Sequence, residues 1–131
     1  MATIPEAFRD LLDRPIVVSL ATIMPSGQIQ GHPVWADLVD GKVRVNTVVG
    51  RQKHRNLTER KFATVLAIDP DNPLRFIEIR GKLAETSTSD GDAIIDKLAR
   101  DYTGADYTGH NDRDTRINCL IEPTHIVTSE G

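Results

Sequence analysis

The chain has 131 residues, 39% of them hydrophobic and 27% charged, and a formal net charge of −3. That describes a soluble globular chain with room for one core, read as a single domain over 1–131. It excludes the broad basic footprint of a nucleic-acid binder, and its apolar runs fall short of the roughly 20 residues needed to span a membrane.

The first residues, "MATIPEAFRDLLDR", show no basic segment followed by an apolar one, so no secretory signal is read there. With Cys119 the lone cysteine, no internal disulfide can form, and a cytoplasmic location is expected. In "PEAFRDLL", Phe8, Leu11 and Leu12 recur at helical spacing behind Pro5, which predicts a helix over 5–12. The period then changes. "IVVSLATIM" (16–24) is short, apolar and β-branched, a buried strand. "PSGQ" turns the chain into a second strand over 29–38, in which Pro33 marks an edge, a bulge or an opening of the ladder. Asp40–Gly41 is a hairpin dipeptide leading to a strand over 42–49. A helix is expected over 51–60, a strand over 62–69, and a turn at "PDNP".

The strand predicted over 74–86 contains Gly81, which signals a bulge or a close backbone approach. Glu78 and Arg80, two apart, point the same way and suit a salt bridge. Ser89 and Asp92 have capping-box spacing before an amphipathic helix over 90–102, with Ile94, Ile95, Leu98, Ala99 and Tyr102 on its apolar stripe. A polar loop (103–114) is long enough to suggest function, and a last strand (115–123) with a tail (124–128) follows. About six strands joined mostly by short turns, with three helices, predict a mainly β fold: an antiparallel β-barrel with peripheral helices.

The chemistry is concentrated in "VGRQKHRNL", residues 49–57, where Arg51, Lys53, His54 and Arg55 crowd the start of a predicted helix. The positive end of a helix dipole disfavours cations by roughly 0.3–1 kcal/mol each. A bound phosphate reverses that sign, because backbone N–H groups and cations then converge on one anion. Gly50 allows the turn from strand to helix, and Leu57 can anchor the helix to the core. A solvated helix face is the competing account. His32, His54, His110 and His125 form no metal-ligand spacing with Cys119, so no metal is expected. There is no nucleophile elbow, Rossmann fingerprint or P-loop. Trp35 reads as core, interface or stacking platform, and Tyr102 and Tyr107 as a possible lid.

Three stretches, "VVSLATIMPSGQIQGHPVWAD", "DGKVRVNTVVGRQKHRNL" and "ATVLAIDPDNPLRFIEIRGKLAE", together resemble the flavin/deazaflavin oxidoreductases with the pyridoxamine 5′-phosphate oxidase-like, FMN-binding split β-barrel. Within that family they are similar to the short type that uses coenzyme F420. The resemblance runs from about residue 8 to 127 and rests on the order of its motifs. It implies a homodimer with cofactor sites at the interface. The cofactor phosphate and acidic tail would meet Arg51, Lys53, Arg55 and Asn56. The planar ring would rest on Pro33, Val34, Asn46, Thr47 and Val48, with Arg75 and Phe76 coming from the partner subunit. It implies F420, or alternatively FMN, and hydride transfer to an unsaturated, electron-poor small molecule, with no catalytic side chain assigned. The extra bases Arg55 and Arg60 lean towards the longer polyanionic tail of F420. A non-catalytic cofactor binder of the same fold is the remaining alternative.

Overall fold

In this computed structural model, residues 1–130 are described. The alternating runs form seven strands: β1 (Val18–Ile23), β2 (Ile29–Val34), β3 (Ala36–Val39), β4 (Lys42–Val48), β5 (Phe62–Ile68), β6 (Arg75–Ser87) and β7 (Arg116–Glu130). The α-helices are α1 (Asp10–Asp13), α2 (Gln52–Arg60) and α3 (Gly91–Thr103). All strand pairs are antiparallel, in the order β2-β1-β5-β6-β7-β4-β3.

Residues 29–38, expected as one strand, are two. Val34 pairs with Val18 on β1, whereas Ala36 pairs with Val45 on β4. The outermost strands of the sheet are therefore one stretch of chain, interrupted at Trp35, and their continuity curls the sheet into a barrel that is split along this seam. Pro33, which has no N–H to donate, stands beside the break.

A break in the ladder leaves backbone groups to be satisfied. Tyr102 on α3 does this. Its hydroxyl accepts the Ala36 N–H at 3.1 Å and donates to the Ile16 carbonyl at 2.8 Å. Burial raises the Tyr102 pKa above the ordinary tyrosine value, so the phenol stays a donor. Its ring stacks on Trp35, centroids 5.4 Å apart and planes 21° apart.

The period-two alternation points Val43, Val45, Val65, Ile77, Ile79, Cys119 and Ile121 into the barrel, where Leu11 and Leu12 of α1 and Leu57 of α2 join the same core. Each fully buried aliphatic side chain contributes about 1.5–3 kcal/mol. Cys119 is one of these core residues, and burial pushes its thiol up to about 11. Gly81 sits at the bulge between Arg80 and Gly81, where a side chain would strike the Glu122 carbonyl. Glu78 and Arg80 pair at 3.1 Å, as their spacing indicated.

Three local expectations are corrected. The helix over 5–12 is a 3-10 turn (Glu6–Phe8) followed by the one-turn α1. The last strand and its tail are one continuous β7. The Ser89–Asp92 capping box does not form. Asp90 is the N-cap of α3, and its carboxylate accepts instead from Ser87 and Asn118, each at 2.8 Å.

Removing the Tyr102 hydroxyl strands the Ala36 N–H at the seam. Tyr102→Phe is expected to cost about 1–3 kcal/mol, seen as a lower denaturant midpoint with an unchanged slope.

Candidate functional site

At the end of β4 the chain turns through Gly50, whose φ of +92° favours glycine, into α2. No side chain caps this helix, and no acidic residue stands in its first turn. The cluster of bases therefore meets an uncompensated positive helix end, as the sequence suggested. The structure divides the cluster. Arg51 and Lys53 line a cavity of about 390 Å³. His54 turns back, its Nδ1 accepting the Gly50 N–H at 3.1 Å, and Arg55 bonds Gln52 Oε1 at 2.6 Å.

The cavity has two unlike ends. Val17, Pro33, Val34 and Trp35 at the barrel seam, with Ile95 and Leu98 of α3, form an apolar and aromatic end. Arg51, Lys53, Arg116 and Tyr107 form the other, with Asn46 and Thr47 of β4 between them. Asn46 is held firmly, its amide donating to the Gly91 carbonyl and to Asn118 Oδ1, both at 2.9 Å. Gly91 is needed there because a Cβ would collide with the Arg116 carbonyl oxygen. Tyr107 comes from the loop after α3. Asp96 fixes that loop by accepting the Tyr107 N–H at 3.0 Å and pairing with His110 Nε2 at 2.8 Å.

The walls hold three cations and no carboxylate. Arg51 has a long ion pair with Asp114, 3.9 Å. Lys53 makes no ion pair among the described residues, and its pKa is lowered, first by burial and then by the charges of Arg51 and Arg116. Thr47, only 1% exposed, keeps an Oγ1 with no partner among the described residues. A flat apolar group carrying an anion fits this arrangement: stacking surface at one end, unsatisfied cations at the other, and a spare hydroxyl between.

Of the residues named from the sequence, Pro33, Val34, Asn46, Thr47, Arg51 and Lys53 share this cavity. Val48 is buried outside it, and Arg55 is exposed and does not line it. Asn56 lies outside the cavity lining. It is fully buried, donating to Thr22 Oγ1 at 3.1 Å while accepting from Gln52 at 2.7 Å and Arg60 at 2.9 Å, so it ties α2 to β1. Arg60 is spent the same way, with its Nε on the Ile23 carbonyl at 2.6 Å.

Arg75 does not line this chain's cavity either. Its guanidinium pairs with Asp10 at 2.6 Å and Asp69 at 2.9 Å, bonds the Ala7 carbonyl at 2.8 Å and covers the Phe8 ring. The hydrogen bonds from Arg75 are the main reason the Asp10 carboxyl lies below its usual value. Arg75 thus anchors the N-terminal turns. Phe76 lies on the outer sheet face. Sequence reasoning missed Arg116, although a base at the mouth of the apolar run "INCLI" was a signal. It also left Trp35 and Tyr107 undecided, since only the break at the seam brings them together, 6.5 Å apart and edge to face.

Comparison with known proteins gives consistent relatives. Residues 4–123 match the family model described as pyridoxamine 5′-phosphate oxidase. A solved structure named F420 reductase is 31% identical, with a TM-score of 0.86 over 95% of this chain and 98% of that one. A conserved hypothetical protein from Mycobacterium tuberculosis shares the fold at 22% identity, TM-score 0.74, over 97% of this chain and 85% of its own. So does a pyridoxamine 5′-phosphate oxidase-related, FMN binding protein from Nostoc punctiforme, at 14% identity, TM-score 0.62, over 86% and 73%. No curated protein matches the chain.

The depressed Lys53 pKa sets a sign. Between the folded and unfolded lysine values the unfolded state binds more protons, so stability rises with pH through the folded pKa. At neutral pH the charge therefore opposes folding, and Lys53→Met should raise the melting temperature of the ligand-free protein. The same substitution should weaken binding of a phosphate-bearing cofactor about tenfold or more, since charge-assisted bonds contribute about 1.5–3 kcal/mol. In the wild type, affinity should fall as pH rises through a value below 10.5, and calorimetry should find that fall absent from Lys53→Met.

Proposed function

The chain belongs to the pyridoxamine 5′-phosphate oxidase family, and from that premise we propose that it is an F420-dependent reductase acting on an unsaturated, electron-poor small molecule. We propose further that it works in the cytoplasm as a homodimer. The observation that carries the reading is the two-ended cavity, apolar at the seam and cationic at α2, in a chain similar to a protein named F420 reductase over nearly its full length.

Reduced deazaflavin, when bound, supplies the hydride, and the protein's contribution is binding, orientation and exclusion of water. Arg51 and Lys53, with the uncapped start of α2, hold the anionic portion. Pro33, Val34 and Trp35 offer a flat apolar surface to the ring system. The Thr47 hydroxyl supplies a hydrogen bond that nothing in the described chain consumes. The companion proton is assigned to no side chain.

The homodimer is supported by the outer face of β1, β5 and β6. Ala21, Leu66, Ile68 and Phe76 line an apolar groove of about 450 Å³ there. A neighbouring groove shares Leu66 and Ile68 with it, and Val17 and Pro33 with the cavity, so a mainly apolar surface connects the outer face to the site. Continuous exposed apolar surface of this kind marks an interaction face.

Reduced F420 mixed anaerobically with the protein and a panel of quinones and enones should be reoxidised faster than without protein. Acceleration only with reduced FMN would move the protein to flavin chemistry, and tight binding without acceleration by any acceptor would make it a binder. Light scattering should give a dimer, and Phe76→Asp should shift it to monomer; a monomeric wild type would contradict the shared site.

A further inference from the structure

The half-buried and buried arginines of this protein divide into two kinds. Arg44 faces Asp37 through bonds of 2.8 and 2.6 Å, and Arg75 faces Asp10 and Asp69 at 2.6 and 2.9 Å. Each guanidinium has its counter-charge, the condition under which a buried cation is tolerated. Arg116 is different. It is only 7% exposed, yet no carboxylate pairs with it among the described residues. Its Nη2 donates to the Tyr107 hydroxyl at 2.8 Å, its Nη1 reaches Asn46 Oδ1 at 3.4 Å, and its fork lies 4.7 Å from the centre of the Tyr107 ring. All three contacts are with neutral groups. A buried cation without an anion is among the costlier arrangements a fold can carry. Lys53 registers the same imbalance, its proton affinity reduced in part by Arg116.

Arg116 lines the cavity with Arg51 and Lys53. A phosphate at the α2 end engages Arg51 and Lys53, which leaves the five-donor fork of Arg116 with most of its capacity unspent. Building on the cofactor reading above, we propose that Arg116 is a specificity-determining residue. It binds a second anionic group of the cofactor, a carboxylate or phosphate oxygen beyond the first phosphate, and the Tyr107 hydroxyl holds that position until the anion arrives. The role that Arg55 and Arg60 had on sequence grounds, selection of a polyanionic tail, passes to Arg116, because those two are bonded elsewhere. The consequence is preference for F420, with its polyanionic tail, over FMN, with a single phosphate. Tyr107 also links the choice to the loop after α3, since its hydroxyl bonds Arg116 at the start of β7.

The test compares wild type, Arg116→Gln, Arg116→Lys and Tyr107→Phe by calorimetric titration with F420 and with FMN, and by thermal melting with and without inorganic phosphate. Arg116→Gln should lose at least about tenfold in F420 affinity, the value of one charge-assisted bond, and change little towards FMN. It should melt no lower than wild type without ligand. Arg116→Lys should recover part of the F420 affinity, and it carries the test if the glutamine variant does not fold. Tyr107→Phe should melt lower without ligand and bind F420 at least as tightly as wild type. Equal losses towards F420 and FMN, or unchanged F420 affinity in Arg116→Gln, would overturn the proposal while leaving the cofactor reading in place. If wild type binds neither cofactor, that reading fails. Arg116 is then judged by whether phosphate raises the melting temperature of wild type by more than that of Arg116→Gln; equal rises overturn the proposal as well.

Discussion

One stretch of chain has to serve two ladders. Residues 29–34 pair with β1 and residues 36–39 with β4, and the change falls on Trp35. Each half is paired on one side only, so the sheet ends in two short outer strands, β2 and β3, that follow one another along the chain. The cost is an opening at the seam, with backbone groups lacking ladder partners. Tyr102 supplies them, and to do so α3 must lie across the opening with Trp35 stacked beneath it. That placement carries Ile95 and Leu98 to the cavity wall and delivers the following loop, with Tyr107, to the start of β7. The site is thus a consequence of how the barrel closes, and its apolar end is built from the seam itself.

The cationic end follows a different logic. Elsewhere the fold balances its charges: Asp37 between Arg44 and Lys97, and Asp69 and Asp10 around Arg75. Burial works to raise the Asp37 pKa, yet the hydrogen bonds from Arg44 and Lys97 hold it below the ordinary value. At the cavity the balance is withheld. Arg51 has only a long contact to Asp114, Lys53 has no anionic partner among the described residues, and Arg116 rests on a phenol and an amide. Natural proteins hold such unfavourable electrostatics where function requires them and compensate elsewhere in the fold. Here the contrast between balanced and unbalanced arginines marks the cavity out more clearly than the density of bases does.

The sequence made strands such as β1, β4 and β5 legible because period-two alternation survives in them. Gly50, Gly81 and Pro33 also announced themselves, since a positive φ, a close backbone approach and a missing donor are properties of the residue type. The split at Trp35 did not show, because both halves of 29–38 carry strand-like residues and only the partner changes. The tethering bonds of Asn56 and Arg75 did not show for a related reason: a polar side chain near a basic cluster or after a turn reads equally well as ligand or as tether. What decides is the partner, Thr22 for one and Asp10 and Asp69 for the other, each distant in sequence. Arg116 was missed because its significance is the absence of a carboxylate, which no local pattern records.

The central claim is that the unbalanced cavity exists to hold a polyanionic, ring-bearing cofactor. Its most direct test is a titration of the purified wild-type protein with F420 and, separately, with FMN, following the quenching of each cofactor's fluorescence. The account predicts saturable quenching at stoichiometric F420 with markedly weaker binding of FMN. No saturable binding of either would contradict it, and the cations at Arg51, Lys53 and Arg116 would then require another anion.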